Sequence, residues 1–187
     1  GLVRFVAVGR LSSTKRFDLL VRAAHMLMQR GLGDRFVVDV YGDGEQAVAL
    51  REMVDELGVG SVVRLRGSTS QIGAALRDAE VFVLPSERES FGIALVEAMA
   101  TGLVPLVSDI ESLVWVAGGV GATFRSGDPS ALADAMLELI GWPGERRREV
   151  GLEARRSVIE RFEESVVAEQ LAGHLEAAAS AAAMPRR

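Results

Sequence analysis

No cysteine occurs anywhere in the 187 residues. That removes disulfides, thiolate nucleophiles and zinc–thiolate centres, and it fits a reducing compartment. With only two histidines, His25 and His174, a histidine-rich metal site is not available either. Both fall in expected helices and read as structural or surface residues. There is no Asp-x-Asp pair to hold a divalent cation. No apolar run approaches the ~20 residues that span a bilayer, and the first residues lack the charged, apolar and small-residue zones of a signal peptide. Basic excess is also missing. A net charge of -5 leaves no general reserve of cations to displace the counterions of a nucleic acid. The five prolines stand against 20 glycines, and 49% of residues are hydrophobic. That composition describes a folded chain with one sizeable core.

What is present is alternation. Short apolar runs rich in β-branched residues take turns with longer helical patterns. Strands are expected at Val3–Val8, Phe36–Tyr41, Val62–Leu65, Val81–Leu84, Val104–Val107 and Ala122–Phe124. Helices are expected at Phe17–Gln29, Glu45–Leu57, Gln71–Asp78 behind a Ser70 cap, Phe91–Ala100, and from Asp128–Pro129 to about Ile140. Further helices follow over Glu145–Val158 and Glu163–Ala179, and residues 177–187 read as a frayed tail. Residues 109–121 read as irregular. The triplet Arg146–Arg147–Arg148, between two glutamates, reads as a solvated helix face. Trp115 reads equally as core or as cover for a cleft.

Strand–helix alternation implies parallel pairing through right-handed crossovers. VFVL, apolar at every position, implies helices on both faces of the sheet. The expected fold is a doubly wound, Rossmann-like α/β domain of about six strands, with its ligand beyond the carboxyl ends of the strands. The polar residues at that edge therefore carry the functional reading. After the first strand come Gly9, Arg10 and Lys15. A guanidinium fork and a compact ammonium on one loop suit a diphosphate, although a solvated loop explains them equally well in isolation. Gly42–Asp43–Gly44 follows the second strand, a turn or a close approach to a ligand. It is not a Gly-x-Gly-x-x-Gly fingerprint. Pro85–Ala100 is the richest stretch. Its expected helix would aim free N–H groups at an anion, with Gly92 in the first turn and Glu89 and Glu97 placed before and within it.

VAVGRLSSTKRFDLLVRAA, VYGDGEQ, VVRLRGS and above all VFVLPSERESFGIALVEAMATGLVPLVSD resemble the carboxyl-terminal domain of family-4 retaining glycosyltransferases of the two-domain GT-B fold. The resemblance runs in the family's order from about Val3 to Phe124. It includes the signature's two glutamates with seven residues between them. The resemblance implies a donor site for a nucleoside-diphosphate sugar. In it Arg10 and Lys15 hold the diphosphate and Glu89 orients the sugar. Glu97 holds the ribose. Amides around Ser90, Phe91, Gly92 and Ile93 cradle the distal phosphate, and the backbone of Arg66, Gly67 and Ser68 meets the base. It implies no cofactor and no metal, an excised domain with its acceptor-binding amino-terminal partner elsewhere, and a setting in the cytoplasm, the inner face of a membrane included. Peripheral membrane contact would then come through the missing domain.

Two departures stand out. Arg16 occupies the position after the lysine where the family usually has glycine. Asp109–Trp115 replaces the family's glycine pair and later Pro-Glu. A catalytically silent binding module is thus a second reading, and a nucleotide-sugar epimerase half a third.

Overall fold

A computed structural model describes residues 1–162. The helix expected over Glu163–Ala179, with His174 and the tail 177–187, lies outside the described residues. Six strands form one sheet: β1 (Val3–Val8), β2 (Phe36–Tyr41), β3 (Val63–Gly67), β4 (Val81–Leu84), β5 (Val104–Ser108) and β6 (Ala122–Phe124). All neighbours pair in parallel, in the order β3-β2-β1-β4-β5-β6. Between them run α1 (Phe17–Gln29), α2 (Ala47–Glu56), α3 (Ile72–Arg77), α4 (Ile93–Thr101) and α5 (Glu111–Ala117), followed by α6 (Pro129–Gly141) and α7 (Gly144–Phe162).

The side-chain alternation of β4 explains its composition. Val81 and Val83 join the core under α1 and α6, while Phe82 and Leu84 join the core under α4, α5 and α7. All four are fully buried, so a polar residue at any of these positions would have no water to meet. Burying whole Phe, Leu and Val side chains is worth about 1.5–3 kcal/mol each. The two cores therefore hold the sheet from both sides. α1 presents Phe17, Leu20, Ala24 and Leu27 to the first core, as the helical spacing predicts.

Several boundaries and one element differ from the sequence expectation. Residues 111–117, expected to be irregular, form α5. Its N-cap Ile110 offers no side-chain acceptor; Glu111 in the first turn and the left-handed Gly118 at the end are its local signals, and burial of Leu113, Val116 and Ala117 holds so short a helix in place. Ser70 does not cap α3; Gln71 occupies that position, and Thr69 Oγ1 accepts the Gln71 N–H instead. α4 starts at Ile93, because Gly92 adopts a left-handed conformation at φ 85° and stands outside the first turn. Asp128 does cap α6, its carboxylate accepting from the Ser130 and Ala131 amides.

Arg147 corrects the solvated reading of the arginine triplet. It is 8% exposed, donating from Nε to Glu80 at 2.9 Å and from Nη1 to the carbonyls of Leu139 and Trp142. One arginine thus ties the start of α7 to the end of α6 and to the residue preceding β4. Its neighbour Arg146 lies over the Trp142 ring, 4.1 Å from the centroid.

Candidate functional site

The strand order fixes where a ligand crevice forms. The chain moves outward from β1 to β2 and β3, then returns to place β4 against the free side of β1. Loops leaving the carboxyl ends of β1 and β4 must diverge to opposite faces, and a crevice opens between them. Two adjoining clefts lie there, both lined by Arg10. The first, of about 690 Å³, is bordered by Ser12, Thr14, Lys15, Glu87, Glu89 and Ser112 among others. The second, of about 360 Å³, is bordered by Gly9, Tyr41, Gly42, Ser68, Thr69 and Glu97 among others. Both volumes fall in the range of small-molecule sites. A further cavity of about 480 Å³ opens at the opposite edge, beside Arg77, Glu80 and Arg147. There Arg147 is already taken by Glu80 and by two carbonyls, while Arg77 and Arg148 on the same lining form no ion pair among the described residues.

Arg10, Lys15, Glu89, Ser90, Gly9, Ser68 and Glu97 are therefore brought to one rim. Gly92 is buried and Ile93 exposed at the head of α4, and neither lines a cleft; in the chain they lie between Ser90 of the first cleft and Glu97 of the second. No side chain caps α4; the Leu95 and Val96 amides turn back to the Gly92 carbonyl, which leaves the Gly92, Ile93 and Ala94 amides open to a ligand. At Gly92 an added Cβ would face Leu113 at 3.0 Å as well as the unfavourable φ. Phe91 lines neither cleft: it packs edge-on to Phe162 and at a tilt to Trp115. Trp115 itself is 57% exposed, covered on one side by Arg161, so it belongs to neither the core nor the cleft. Arg66 turns aside to Asp39, at 2.6 Å, and lines neither cleft. Gly67 spends its carbonyl on the Gly42 N–H.

The glycines after β2 serve a close approach of backbones. Gly42 sits at φ 145°, and a Cβ there would lie 1.8 Å from the Gly9 carbonyl oxygen. The loop after β2 then supports the loop after β1: the Leu11 amide donates to the Asp43 carbonyl, and the Gln46 amide to the Leu11 carbonyl.

The cations of the rim differ in availability. The Arg10 side chain is 77% exposed, with only a loose approach to Glu45 at 3.6 Å. Lys15 donates to Glu89, and both side chains are mostly covered, at 21% and 15% exposure. Beside this pair, Arg16 donates to Glu87 from one nitrogen and to both oxygens of Asp18 from two others, at 2.9 and 3.1 Å. Hydrogen bonding to Asp18 raises the Arg16 pKa, partial burial opposes it, and the charge of Asp18 adds to the rise. Arg16 is the one non-glycine with positive φ among the described residues, at 52°. An L-residue there costs roughly 1–2 kcal/mol.

Four cleft residues, Ser112, Glu87, Ser12 and Thr14, were not singled out by the sequence. Ser112 Oγ donates to the Glu89 carbonyl at 2.7 Å, so the helix that replaces the family's glycine pair buttresses the loop carrying Glu89. Glu87 joins the β1–α1 loop twice, through Arg16 and through its own amide to the Thr14 carbonyl at 2.9 Å. Ser12 and Thr14 share a hydroxyl contact at 3.1 Å. Among the described residues, no group of His, Asp and Glu gathers as a metal site, and no helix is long and apolar enough to cross a membrane.

Comparison with known proteins gives the family. The family described as "Glycosyl transferases group 1" matches residues 3–157. A D-inositol 3-phosphate glycosyltransferase of Nocardia farcinica is 32% identical over 156 residues, covering 79% of this chain and 34% of that protein. A phosphatidyl-myo-inositol mannosyltransferase of Mycobacterium leprae is 40% identical over 114 residues, covering 58% of this chain and 30% of the relative. The chain thus spans about a third of the length of either relative. Among solved structures, Anabaena HepE in complex with UDP superposes with a TM-score of 0.82 at 20% identity, covering 93% of this chain and 48% of that one.

Proposed function

The chain belongs to the glycosyl transferases group 1 family, and we propose that it is the donor-binding half of a retaining glycosyltransferase. Its substrate is a nucleoside-diphosphate sugar. The observation that carries this reading is the joint placement of Arg10, Lys15, Glu89 and Glu97 along the crevice between the ends of β1 and β4.

The reaction breaks the bond between the anomeric carbon and the diphosphate oxygen, and an acceptor oxygen takes the same carbon with configuration kept. Negative charge grows on the departing diphosphate. Arg10, Lys15 and the open amides of Gly92 and Ile93 are fixed before the reaction and stabilise that charge without reorganising. No metal is required for this task. Glu89 accepts from sugar hydroxyls, and Glu97, just over one turn into α4, accepts from the ribose diol. Ser68 and the backbone beside it face the base.

The acceptor and the other reacting groups come from the rest of the protein, which works in the cytoplasm or at the inner face of a membrane. This half alone binds donor and turns over little. The test is a thermal-shift panel of uridine, guanosine and adenosine diphosphates and their sugars on this chain. At a ligand concentration 100 times Kd, binding to the folded state alone adds about 2.7 kcal/mol. One base series should raise the midpoint by several degrees, uridine being tried first because UDP occupies the Anabaena neighbour. No shift with any diphosphate refutes the reading.

A further inference from the structure

We propose that Arg16 is a positioning residue, a latch that fastens the β1–α1 loop to the β4–α4 loop and keeps Lys15 and Glu89 opposed across the cleft. The proposal rests on the reading of that cleft as the donor site. Two side-chain rungs join the loops, Lys15 to Glu89 on the cleft side and Arg16 to Glu87 beside it. A bound donor dismantles the first rung, because the diphosphate takes Lys15 and the sugar takes Glu89. Among the described residues, the side-chain tie that remains is Arg16–Glu87, alongside the Glu87 N–H to Thr14 carbonyl bond.

Arg16 is built for the latch rather than for the ligand. Asp18 grips two of its nitrogens and so fixes the plane of the guanidinium, and the third nitrogen reaches across to Glu87. Arg16 itself lines neither cleft. It holds this position in a backbone conformation that favours glycine. A residue that only began α1 would gain from being glycine; an arginine at φ 52° gains only through its two partners. Gly127 closes the arrangement from a third loop, where an added Cβ would lie 3.3 Å from the Glu87 carboxylate.

The experiment compares Arg16→Gly, Arg16→Lys, Glu87→Gln and the Arg16→Gly/Glu87→Gln double variant of this chain. It reads amide hydrogen exchange without ligand, the urea midpoint, and UDP affinity by calorimetry. Arg16→Gly should speed exchange at the Lys15 and Glu87 amides about tenfold and weaken UDP about fivefold, with the urea midpoint unchanged or raised by relief of the backbone. Glu87→Gln should act in the same direction, and the double variant should lose no more than Arg16→Gly alone. Arg16→Lys, with one compact charge, should fall between wild type and Arg16→Gly. Unchanged exchange in both loops overturns the latch. So does a lowered urea midpoint with UDP affinity intact, which would assign Arg16 to the fold. A wild-type chain that binds no nucleoside diphosphate overturns the proposed function, and the exchange measurement still decides whether Arg16 holds the loops.

Discussion

Lys15 and Arg10 are both cations of the same cleft, yet removing them should have unequal effects. Arg10 is 77% exposed and only loosely approached by Glu45, so Arg10→Ala should leave folding within about 0.5 kcal/mol of wild type. Its effect on UDP binding is the loss of a charge-assisted contact, about 1.5–3 kcal/mol, or roughly 10- to 150-fold in Kd. Lys15→Ala loses a similar contact and also leaves Glu89, whose side chain is 15% exposed, without its cation beside an incoming diphosphate. Two like charges some 5–8 Å apart at an effective dielectric of 20 repel by about 2–3 kcal/mol. The total is about 3.5–6 kcal/mol, a loss of roughly several hundredfold to ten-thousandfold or more. Neutralising the acid should recover the second part, so Lys15→Ala/Glu89→Gln should bind UDP about as well as Arg10→Ala does. UDP is the right probe because it carries no sugar for Glu89 to hold. Calorimetry on wild type, Lys15→Ala, Glu89→Gln and the double variant, with urea unfolding as the control for folding, gives the coupling directly. A double variant no tighter than Lys15→Ala would refute the electrostatic account of the pair.

Glu97→Ala should weaken UDP and its sugars by the same factor, about tenfold, whereas Glu89→Ala should weaken the sugar nucleotides selectively. Equal losses for both ligand types in both variants would dissolve the division of roles. Gly42→Ala places a Cβ 1.8 Å from the Gly9 carbonyl oxygen, a clash with backbone that no side-chain rotation relieves. It should cost about 3 kcal/mol and lower Tm by roughly 6–12 °C in scanning calorimetry, with the second cleft distorted as well. A Tm within a degree of wild type would show that the strand ends can separate freely.

Much of the fold was legible because each core strand is its own message. VRFVAV, FVVDVY and VFVL allow little but burial on both faces, and the β1, β2 and β4 boundaries coincide with those runs. Asp128–Pro129 likewise specifies a helix start by local chemistry alone, about 1 kcal/mol for the cap. α5 was only partly legible. ESLVWVA has no side-chain N-cap, yet Leu113, Val116 and Ala117 recur at helical spacing and Gly118 closes the helix; seven residues are too few for those signals to hold it without burial of that face. The arginines were illegible for a related reason. Arg147 in a run of three charges looks solvated, and only the fold reveals that Glu80 and two carbonyls wait for it. Arg16 stands out in the sequence only as occupying the position where the family usually has glycine. Glu89 stands out there and Glu87 does not, and pairing these alternate acids with two consecutive cations requires knowing that the ends of β1 and β4 adjoin.

That pairing bears on what the cleft can select. The protein carries a net charge of -5, and apart from Arg88, which forms no ion pair among the described residues, the cations of the first cleft are each approached by an acid. Lys15 faces Glu89, Arg16 faces Glu87, and Arg10 approaches Glu45. An anion entering on the proposed reading must offer Lys15 more than a carboxylate does, since the exchange leaves Glu89 to find a new donor. A lone phosphate gains one cation and strands that acid. A diphosphate that spans Arg10, Lys15 and the open amides of α4, with sugar hydroxyls on its far side, supplies both the stronger anion and the donors that Glu89 then needs. The acid that weakens binding of partial ligands is therefore the same group that favours the complete one. UDP without its sugar should bind more weakly than the sugar nucleotide, and the gap should narrow in Glu89→Gln. Titrations of UDP and its sugar nucleotide that showed the same gap in both proteins would sever selectivity from the ion pair.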